Sequence, residues 1–148
     1  MNVNLQDIQV RNITPEDAQT ILQLSQQLGY SISVEDTLAN IHAIAAQESQ
    51  IALAATLDGK IVGWVHAFEV RTLESLPFVE LGGIVVDKDC RGLGIGKKLV
   101  ACISQWCRER DIPFLRVRSQ MKRKEAHQFY LHLGFAEIKE QKVFQINL

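Results

Sequence analysis

A run of glycines just past the middle of the chain gives the clearest indication of a chemical function. The run Arg91-Gly-Leu-Gly-Ile-Gly-Lys97 follows an apolar stretch that ends at Asp87, and it opens an amphipathic segment with helical spacing. The first N–H groups of a helix have no carbonyl partner inside the helix, and the helix dipole adds partial positive charge there. Because glycines leave those N–H groups uncovered, the run predicts a binding site for an anion, most often a phosphate.

Two common phosphate-binding motifs fit this run poorly. The phosphate loop of nucleotide hydrolases needs serine or threonine after its Gly-Lys pair, whereas Lys98 follows Lys97 here. A dinucleotide-binding loop needs G-x-G-x-x-G early in a βαβ unit and an acid about twenty residues later. Here the glycines alternate, the run lies past mid-chain, and Asp111 opens a loop. A third pattern, R-x-x-G-x-G, is matched by Arg91, Gly94 and Gly96.

Side chains of the types that transfer protons lie elsewhere in the sequence. Tyr130 shares one predicted helix face with apolar neighbours such as Phe129, so packing in the core and a role as an acid are both open. Glu80 interrupts an otherwise apolar strand, which indicates either a functional carboxylate or an exposed strand start. His66, on the preceding strand, is a weaker candidate base than Glu80 and is more typical of a half-buried histidine with its hydrogen bonds satisfied.

A second block of sequence supports the third pattern. The segment Ala126-His-Gln-Phe-Tyr-Leu-His-Leu-Gly-Phe135 reads A-x-x-F-Y-x-x-x-G-F. In this order and at this separation, the two blocks resemble the GNAT superfamily of N-acetyltransferases, and the resemblance is specific from about Glu80 to Phe135. It implies an enzyme that moves the acetyl group of acetyl-CoA to a primary amine. The amine would attack directly in a ternary complex, with no covalent enzyme intermediate.

The resemblance also implies which residues hold the co-substrate acetyl-CoA. The pyrophosphate would lie on the glycine run, the pantetheine arm would pair with the preceding strand, and Gln120 stands where the family often has asparagine. Tyr130 matches the acid that protonates the departing thiolate, and Glu80 matches the catalytic glutamate of the histone-acetylating branch. Lys98 is expected to be a solvated helix residue. The implied cofactor-binding set is Ile84, Val85, Val86, Arg91, Gly92, Leu93, Gly94, Ile95, Gly96, Lys97, Gln120 and Tyr130.

Some positions depart from the family pattern or leave its chemistry open. Cys90 stands where an aromatic residue is common, and Gly82 stands where the aminoglycoside-acetylating branch often carries an acid. The pair Gly82-Gly83 inside an apolar strand predicts a bulge or a close backbone approach. The proton acceptor stays open among Glu80, His66 and a water relay.

A small-molecule amine is the expected acceptor. It would contact the variable segments Gln26 to Thr37 and Arg71 to Phe78, and the acids Glu69, Glu74 and Glu80 would favour a cation. A protein or peptide amine remains an alternative. A further alternative, from another class, is a non-catalytic module that binds or senses acyl-CoA.

The predicted elements follow the order βααβββαβαβ within one α/β domain, residues 1–148. This order predicts a mixed, mostly antiparallel sheet of six or seven strands with helices on both faces. Asp58-Gly59 predicts a hairpin, and Gly134 predicts a left-handed helix end. The predicted helices are Thr14 to Gly29, one capped by Ser33, the glycine run to about Arg110, and Lys124 to Leu133. The predicted strands include Leu5 to Ile13, Gln50 to Leu57, Lys60 to Phe68, Pro113 to Ser119 and a terminal strand from Phe135 that includes Lys142 to Leu148.

Composition limits the classes of function. With 148 residues and a formal net charge of −1, the chain is large enough for its own core and is not built to coat nucleic acid or an anionic membrane. No signal peptide or membrane span is expected. The odd number of cysteines, 3, without C-x-x-C spacing, predicts reduced thiols, a cytoplasmic protein and no metal site. A homodimer through the terminal strand is a further expectation.

Overall fold

The computed structural model describes residues 4–148 of the chain. Within this range the chain separates into two compact units, of which the first ends at Arg118 and the second runs from Ser119 to Leu148. The expectation of one acetyltransferase domain over residues 1–148 stays a prediction.

A five-stranded sheet organises the first unit. Its first four strands are antiparallel to their neighbours, and the fifth runs parallel to the fourth. This arrangement confirms the α/β class and the mixed, mostly antiparallel sheet. In sheet order, which is also chain order, the strands are β1 (Ile8–Asn12), β2 (Gln50–Leu57), β3 (Lys60–Val70), β4 (Phe78–Val86) and β5 (Leu115–Val117).

The hairpin between β2 and β3 forms where the sequence predicts it. Asp58 and Gly59 both have positive φ angles, of 51° and 77°, as the tight turn with the right twist for a hairpin requires. The bounds of β2 are those predicted, and β3 extends two residues past the predicted end at Phe68.

Three helices of the first unit cover both faces of this sheet, as predicted. They are α1 (Ala18–Gln26), α2 (Val34–Ala45) and α3 (Ile95–Glu109). Leu24 of α1 belongs to one buried cluster with Trp64 of β3. The preceding residue in the strand, Gly63, faces the opposite way, and a β-carbon there would lie 3.2 Å from Cγ2 of Ile95 in α3.

Local hydrogen bonds shift two predicted boundaries. The strand predicted over Leu5 to Ile13 begins only at Ile8, because Asn4 and Asp7 cap each other across a 3₁₀ turn. The first helix also opens with a 3₁₀ turn and becomes α-helical at Ala18.

Lys98 connects α3 to the first strand. Its ammonium group donates hydrogen bonds to the carbonyl oxygen of Ile8 and, over 3.3 Å, to that of Leu5. The side chain is half-buried, so the expectation of a solvated lysine is wrong. No local pattern signals this contact, because its partners lie 90 and 93 residues away.

We expect Lys98→Met to destabilise the fold by about 1–3 kcal/mol, because carbonyl groups lose a charged hydrogen-bond donor. Urea unfolding of the ligand-free protein measures this change. Lys97→Met is the matched control, since Lys97 is exposed, and it should change the free energy of unfolding by less than about 0.5 kcal/mol. Equal effects of the two substitutions would contradict the assignment.

The second unit is built on helix α4 (Lys124–His132). Gly134 ends the helix with a φ angle of 97°, and the N–H of Phe135 returns to the carbonyl of Tyr130 over 3.1 Å. This is the left-handed helix end that the sequence predicts. The rings of Phe129 and Phe135 pack edge-on against Tyr130, with centroids 5.4 and 5.7 Å away.

The predicted terminal strand does not form. Residues 135–148 contain no strand, so the described residues hold five strands and not the predicted six or seven. The alternating apolar residues of Lys142 to Leu148 favour an extended chain, but a strand also needs a partner with which to exchange hydrogen bonds. Val143, Phe144, Ile146 and Leu148 are instead at least 80% exposed. The homodimer through this segment stays a prediction.

Candidate active site

An opening in the sheet lies beside the second half of β4. On one side, β4 pairs with β3 along its whole length. On the other side, β5 pairs only with Val79, Glu80 and Leu81. No described strand therefore binds the backbone of Ile84, Val85 and Val86 on that side, and their peptide groups face an open wedge. An extended ligand that carries amide groups can pair with such an edge.

The glycine run begins where this strand ends. Gly92 and Gly94 have φ angles of 82° and 81°, which side chains disfavour, and α3 starts at the next residue, Ile95. The amide of Lys98 is the first that returns to the carbonyl of Gly94, over 3.0 Å. The amides of the first helical turn, residues 95–97, therefore have no partner within the helix. The predicted phosphate-binding residues form a continuous turn at a helix N-terminus.

Two cations of this turn are available to a ligand. Arg91 and Lys97 are exposed, and no acid among residues 4–148 pairs with either of them. Behind the turn, the side chain of Leu5 lies 3.1 Å from the position of a β-carbon on Gly94. The backbone is thus supported on one side, while cations and amide groups are free to bind an anion.

Gln27 anchors the loop between β4 and the glycine turn. Its carboxamide oxygen accepts a hydrogen bond from the N–H of Lys88 over 2.9 Å, and its nitrogen donates to Oδ1 of Asp87 over 3.4 Å. Asp87 also holds the N–H of Asp89 over 3.1 Å. Sequence reasoning missed Gln27, because an exposed glutamine after a helix gives no signal of a contact 60 residues away.

We expect Gln27→Leu to weaken acetyl-CoA binding roughly threefold to tenfold, because the loop that positions the glycine turn loses two hydrogen bonds. Isothermal titration calorimetry measures this change. Gln26→Leu is the matched control, since Gln26 is exposed and its side chain has no partner among the described residues. If the two variants bind equally well, Gln27 does not position the turn.

The glycine pair of β4 forms both of the predicted features, a bulge and a close approach. Gly83 lies opposite His66, whereas Leu81 lies opposite Ala67, so Gly82 is the extra residue. A β-carbon on Gly82 would lie 2.8 Å from Nδ1 of His66, and one on Gly83 would lie 2.9 Å from Cη2 of Trp64. The rings of β3 thus occupy the space that side chains of β4 would need.

Two of the three predicted acids, Glu69 and Glu80, form ion pairs with arginines. Oε1 of Glu80 accepts a hydrogen bond from Nε of Arg118 over 2.7 Å, with the glutamate side chain only 16% exposed. Glu69 lies 3.0 Å from Arg110 and 3.3 Å from Arg71. These ion pairs offset the negative charge that was expected to attract a cationic acceptor.

Gln120 and Tyr130 belong to the second unit. Gln120 is exposed, and its carbonyl oxygen lies 2.8 Å from Nε2 of His127 and accepts the N–H of Arg123 over 3.0 Å. Tyr130 is buried between aromatic neighbours, as its face of α4 predicts. This burial agrees with packing in the core, and the role of Tyr130 as an acid stays a prediction.

Two of the three cysteines, Cys90 and Cys107, are poorly suited to act as nucleophiles. Burial raises the pKa of the Cys107 thiol, and burial together with Asp87 and Asp89 raises that of Cys90. A thiol with a raised pKa is mostly protonated and attacks slowly. Among the described residues, no group of three or more His, Cys, Asp or Glu side chains is placed to hold a metal ion, and no helix is long and apolar enough to span a membrane.

The chain is similar in sequence to known acetyltransferases. The model of the acetyltransferase (GNAT) family matches residues 16–135. The aminoglycoside N(6')-acetyltransferase type 1 of Stenotrophomonas maltophilia is 30% identical over 145 residues, which are 94% of this chain and 93% of that protein. The 5-NmdU N-acetyltransferase of Pseudomonas phage PaMx11 is 32% identical over 128 residues, with 86% of each chain covered.

The fold is also shared with solved structures. The aminoglycoside N-acetyltransferase AAC(6')-Iy, in complex with the bisubstrate analogue CoA-S-monomethyl-acetylneamine, aligns with a TM-score of 0.84 and 21% identity over 95% of this chain and 99% of that chain. With the match of the family model, the open edge of β4 and the glycine turn belong to an acetyltransferase fold. The chain is a member of the GNAT family and an N-acetyltransferase.

Proposed function

We propose that this enzyme transfers the acetyl group of acetyl-CoA to a primary amine of a small molecule, by direct attack within a ternary complex. The observation that carries the proposal is the open edge of Ile84–Val86, which leads into the glycine turn and the start of α3. This arrangement offers peptide groups to the pantetheine arm and helix amides to the pyrophosphate.

The proposed placement assigns a task to each part of the turn. The amides of Ile95, Gly96 and Lys97 would bind the pyrophosphate, and the side chains of Arg91 and Lys97 would neutralise its charge. Gly92, Leu93 and Gly94 would keep the approach clear, and Gln120 would contact the co-substrate through its carboxamide.

Direct attack is supported by the state of two of the three thiols. An acyl-enzyme route needs a nucleophile with a low pKa, whereas the pKa values of Cys90 and Cys107 are raised. The acceptor nitrogen would instead form a bond to the acetyl carbon while the bond from that carbon to sulfur breaks. The thiolate that leaves needs a proton, and Tyr130 is the proposed donor.

We expect Tyr130→Phe to lower kcat by about 10²-fold or more, because the departing thiolate loses its acid. The phenyl ring keeps the edge-on contacts with Phe129 and Phe135, so the affinity for acetyl-CoA should change little. Steady-state kinetics with calorimetric binding of acetyl-CoA separates these effects. An unchanged kcat would mean that Tyr130 only packs in the core and does not act as the acid.

A small cationic amine is the proposed acceptor class. Support comes from the aminoglycoside acetyltransferases to which the chain is similar in sequence and fold. Two loops of the first unit, within the segments expected to contact the acceptor, expose apolar side chains that can pack against the carbon skeleton of a small molecule but do not select its charge. These side chains are Tyr30 and Ile32 in one loop and Leu73 and Leu76 in the other.

Thermal unfolding with saturating ligands tests the proposal. Acetyl-CoA at about a hundred times its dissociation constant should add ~2.7 kcal/mol, which is a rise of several degrees. NAD and ATP, as control ligands, should give no comparable rise. A variant with both Arg91→Ala and Lys97→Ala should lose most of the acetyl-CoA shift. A shift caused by NAD or ATP alone would contradict the proposed co-substrate.

Release of coenzyme A then identifies the acceptor. Aminoglycosides, polyamines, amino acids and peptides are supplied in parallel, and we expect turnover with the polycationic small molecules. Turnover with peptides alone would contradict the acceptor class. Binding of acetyl-CoA without turnover on any amine would indicate a binding module and not an enzyme of this specificity.

A further inference from the structure

We propose that His66 is the proton acceptor of the reaction, through its Nδ1 atom, and that Gln50 fixes the tautomer that makes this possible. The inference rests on the proposed function, since a proton acceptor is needed only if an amine is acylated. All of the residues that carry it lie in the sheet of the first unit and in the turn before β2.

A chain of hydrogen bonds assigns the proton on the imidazole. Nε2 of Gln50 donates to Oε1 of Gln47 over 2.9 Å, so the oxygen of the Gln50 carboxamide is the atom that faces His66. That oxygen lies 2.8 Å from Nε2 of the ring and can only accept. Nε2 of His66 therefore carries the proton, and Nδ1 keeps its lone pair.

The lone pair lies at the bulge of β4. Nδ1 is 2.8 Å from the position that a β-carbon would take on Gly82, and Gly82 itself is exposed. The imidazole thus stands where a side chain at position 82 would stand, next to the open backbone of Ile84–Val86. An amine that approaches an acetyl group held along this edge meets Nδ1, directly or through one water molecule.

Glu80 is less suited to this task than His66. Oε1 of its carboxylate already accepts a hydrogen bond from Nε of Arg118 over 2.7 Å, so this ion pair obstructs the approach of an amine to that oxygen. Nδ1 of His66 has no such competitor among the described residues. The ring stacks at an angle on Phe68, with centroids 5.5 Å apart, which restricts its orientation.

The other charges on this face of the sheet are already paired. The residues opposite His66, Ala52 in β2 and Gly83 in β4, are uncharged, and the residues of α2 that lie over Gln50 are apolar. Glu80 is bound to Arg118, and Arg11 of β1 is bound to Asp17 over 2.7 Å. Burial of His66 lowers its pKa below the usual 6.5, so the ring is neutral at pH 7 and is able to accept a proton.

The step is balanced in atoms and charge. The amine nitrogen forms a bond to the acetyl carbon and becomes positively charged and acidic. Nδ1 takes a proton from this nitrogen, the bond from carbon to sulfur breaks, and the thiolate receives the proton of the acid. The products are the amide, coenzyme A, an imidazolium and the phenolate of the acid Tyr130. The imidazolium gives a proton to the solvent and the phenolate takes one from it, which restores both groups.

The pH dependence of kcat/KM tests the assignment. For the wild-type enzyme, kcat/KM should fall as the pH drops through the pKa of His66, below 6.5. His66→Gln should lower kcat/KM by about 10²-fold and remove this dependence. Gln50→Glu should move it to higher pH, because a carboxylate stabilises the imidazolium. His42→Gln is the matched control, an exposed histidine on α2, and should leave the profile unchanged.

Two outcomes would overturn the assignment. One is a pH profile that survives His66→Gln, and the other is a profile that Glu80→Gln abolishes and Gln50→Glu does not move. Acetyl-CoA should still raise the melting temperature of His66→Gln, which separates loss of the base from failure of the proposed function. Nitrogen NMR of the imidazole gives a readout without turnover, since a proton on Nδ1 instead of Nε2 would also overturn the assignment.

Discussion

The unequal lengths of the two partners of β4 are the constraint on which the site depends. β3 follows β4 for its whole length, whereas β5 stops after three paired residues. Peptide groups that leave a sheet need another partner, because an unsatisfied buried group costs about 1–3 kcal/mol. The same strand leads into the helix start of α3. The strand β4 therefore places an open edge, which can pair with amide groups, directly before a helix start that can bind an anion.

Missing side chains make this arrangement compact. At Gly63 the absent β-carbon lets α3 approach the sheet, and at Gly82 and Gly83 it admits the rings of His66 and Trp64. Glycine within a strand costs roughly 0.5–1 kcal/mol relative to alanine. Here each of these residues instead permits a contact with a defined neighbour. The bulge of β4, the positions of the His66 and Trp64 rings and the packing of α3 on the sheet thus all depend on glycine at these positions.

Much of the fold could be predicted because its signals are local. Ser33 caps α2 through the N–H of Asp36, Gly134 ends α4, and Asp58-Gly59 forms the hairpin, each within a few residues of chain. Gln27 and Lys98 could not be found this way, because their partners are 60 or more residues distant. The prediction of a terminal strand was wrong for a related reason. Alternation fixes which side chains share a face, but it does not supply the strand with which to pair.

The indole of Trp64 gives the protein an internal optical reporter. The indole lies across Gly83 beside the open edge, and its Nε1–H is buried without a hydrogen-bond partner among the described residues. An indole in such surroundings emits at short wavelength, and its emission responds to a change in local polarity. Trp106 differs, because the guanidinium of Arg110 lies 4.8 Å above its ring. The occupied and empty states of the edge should therefore be distinguishable by intrinsic fluorescence, without a label.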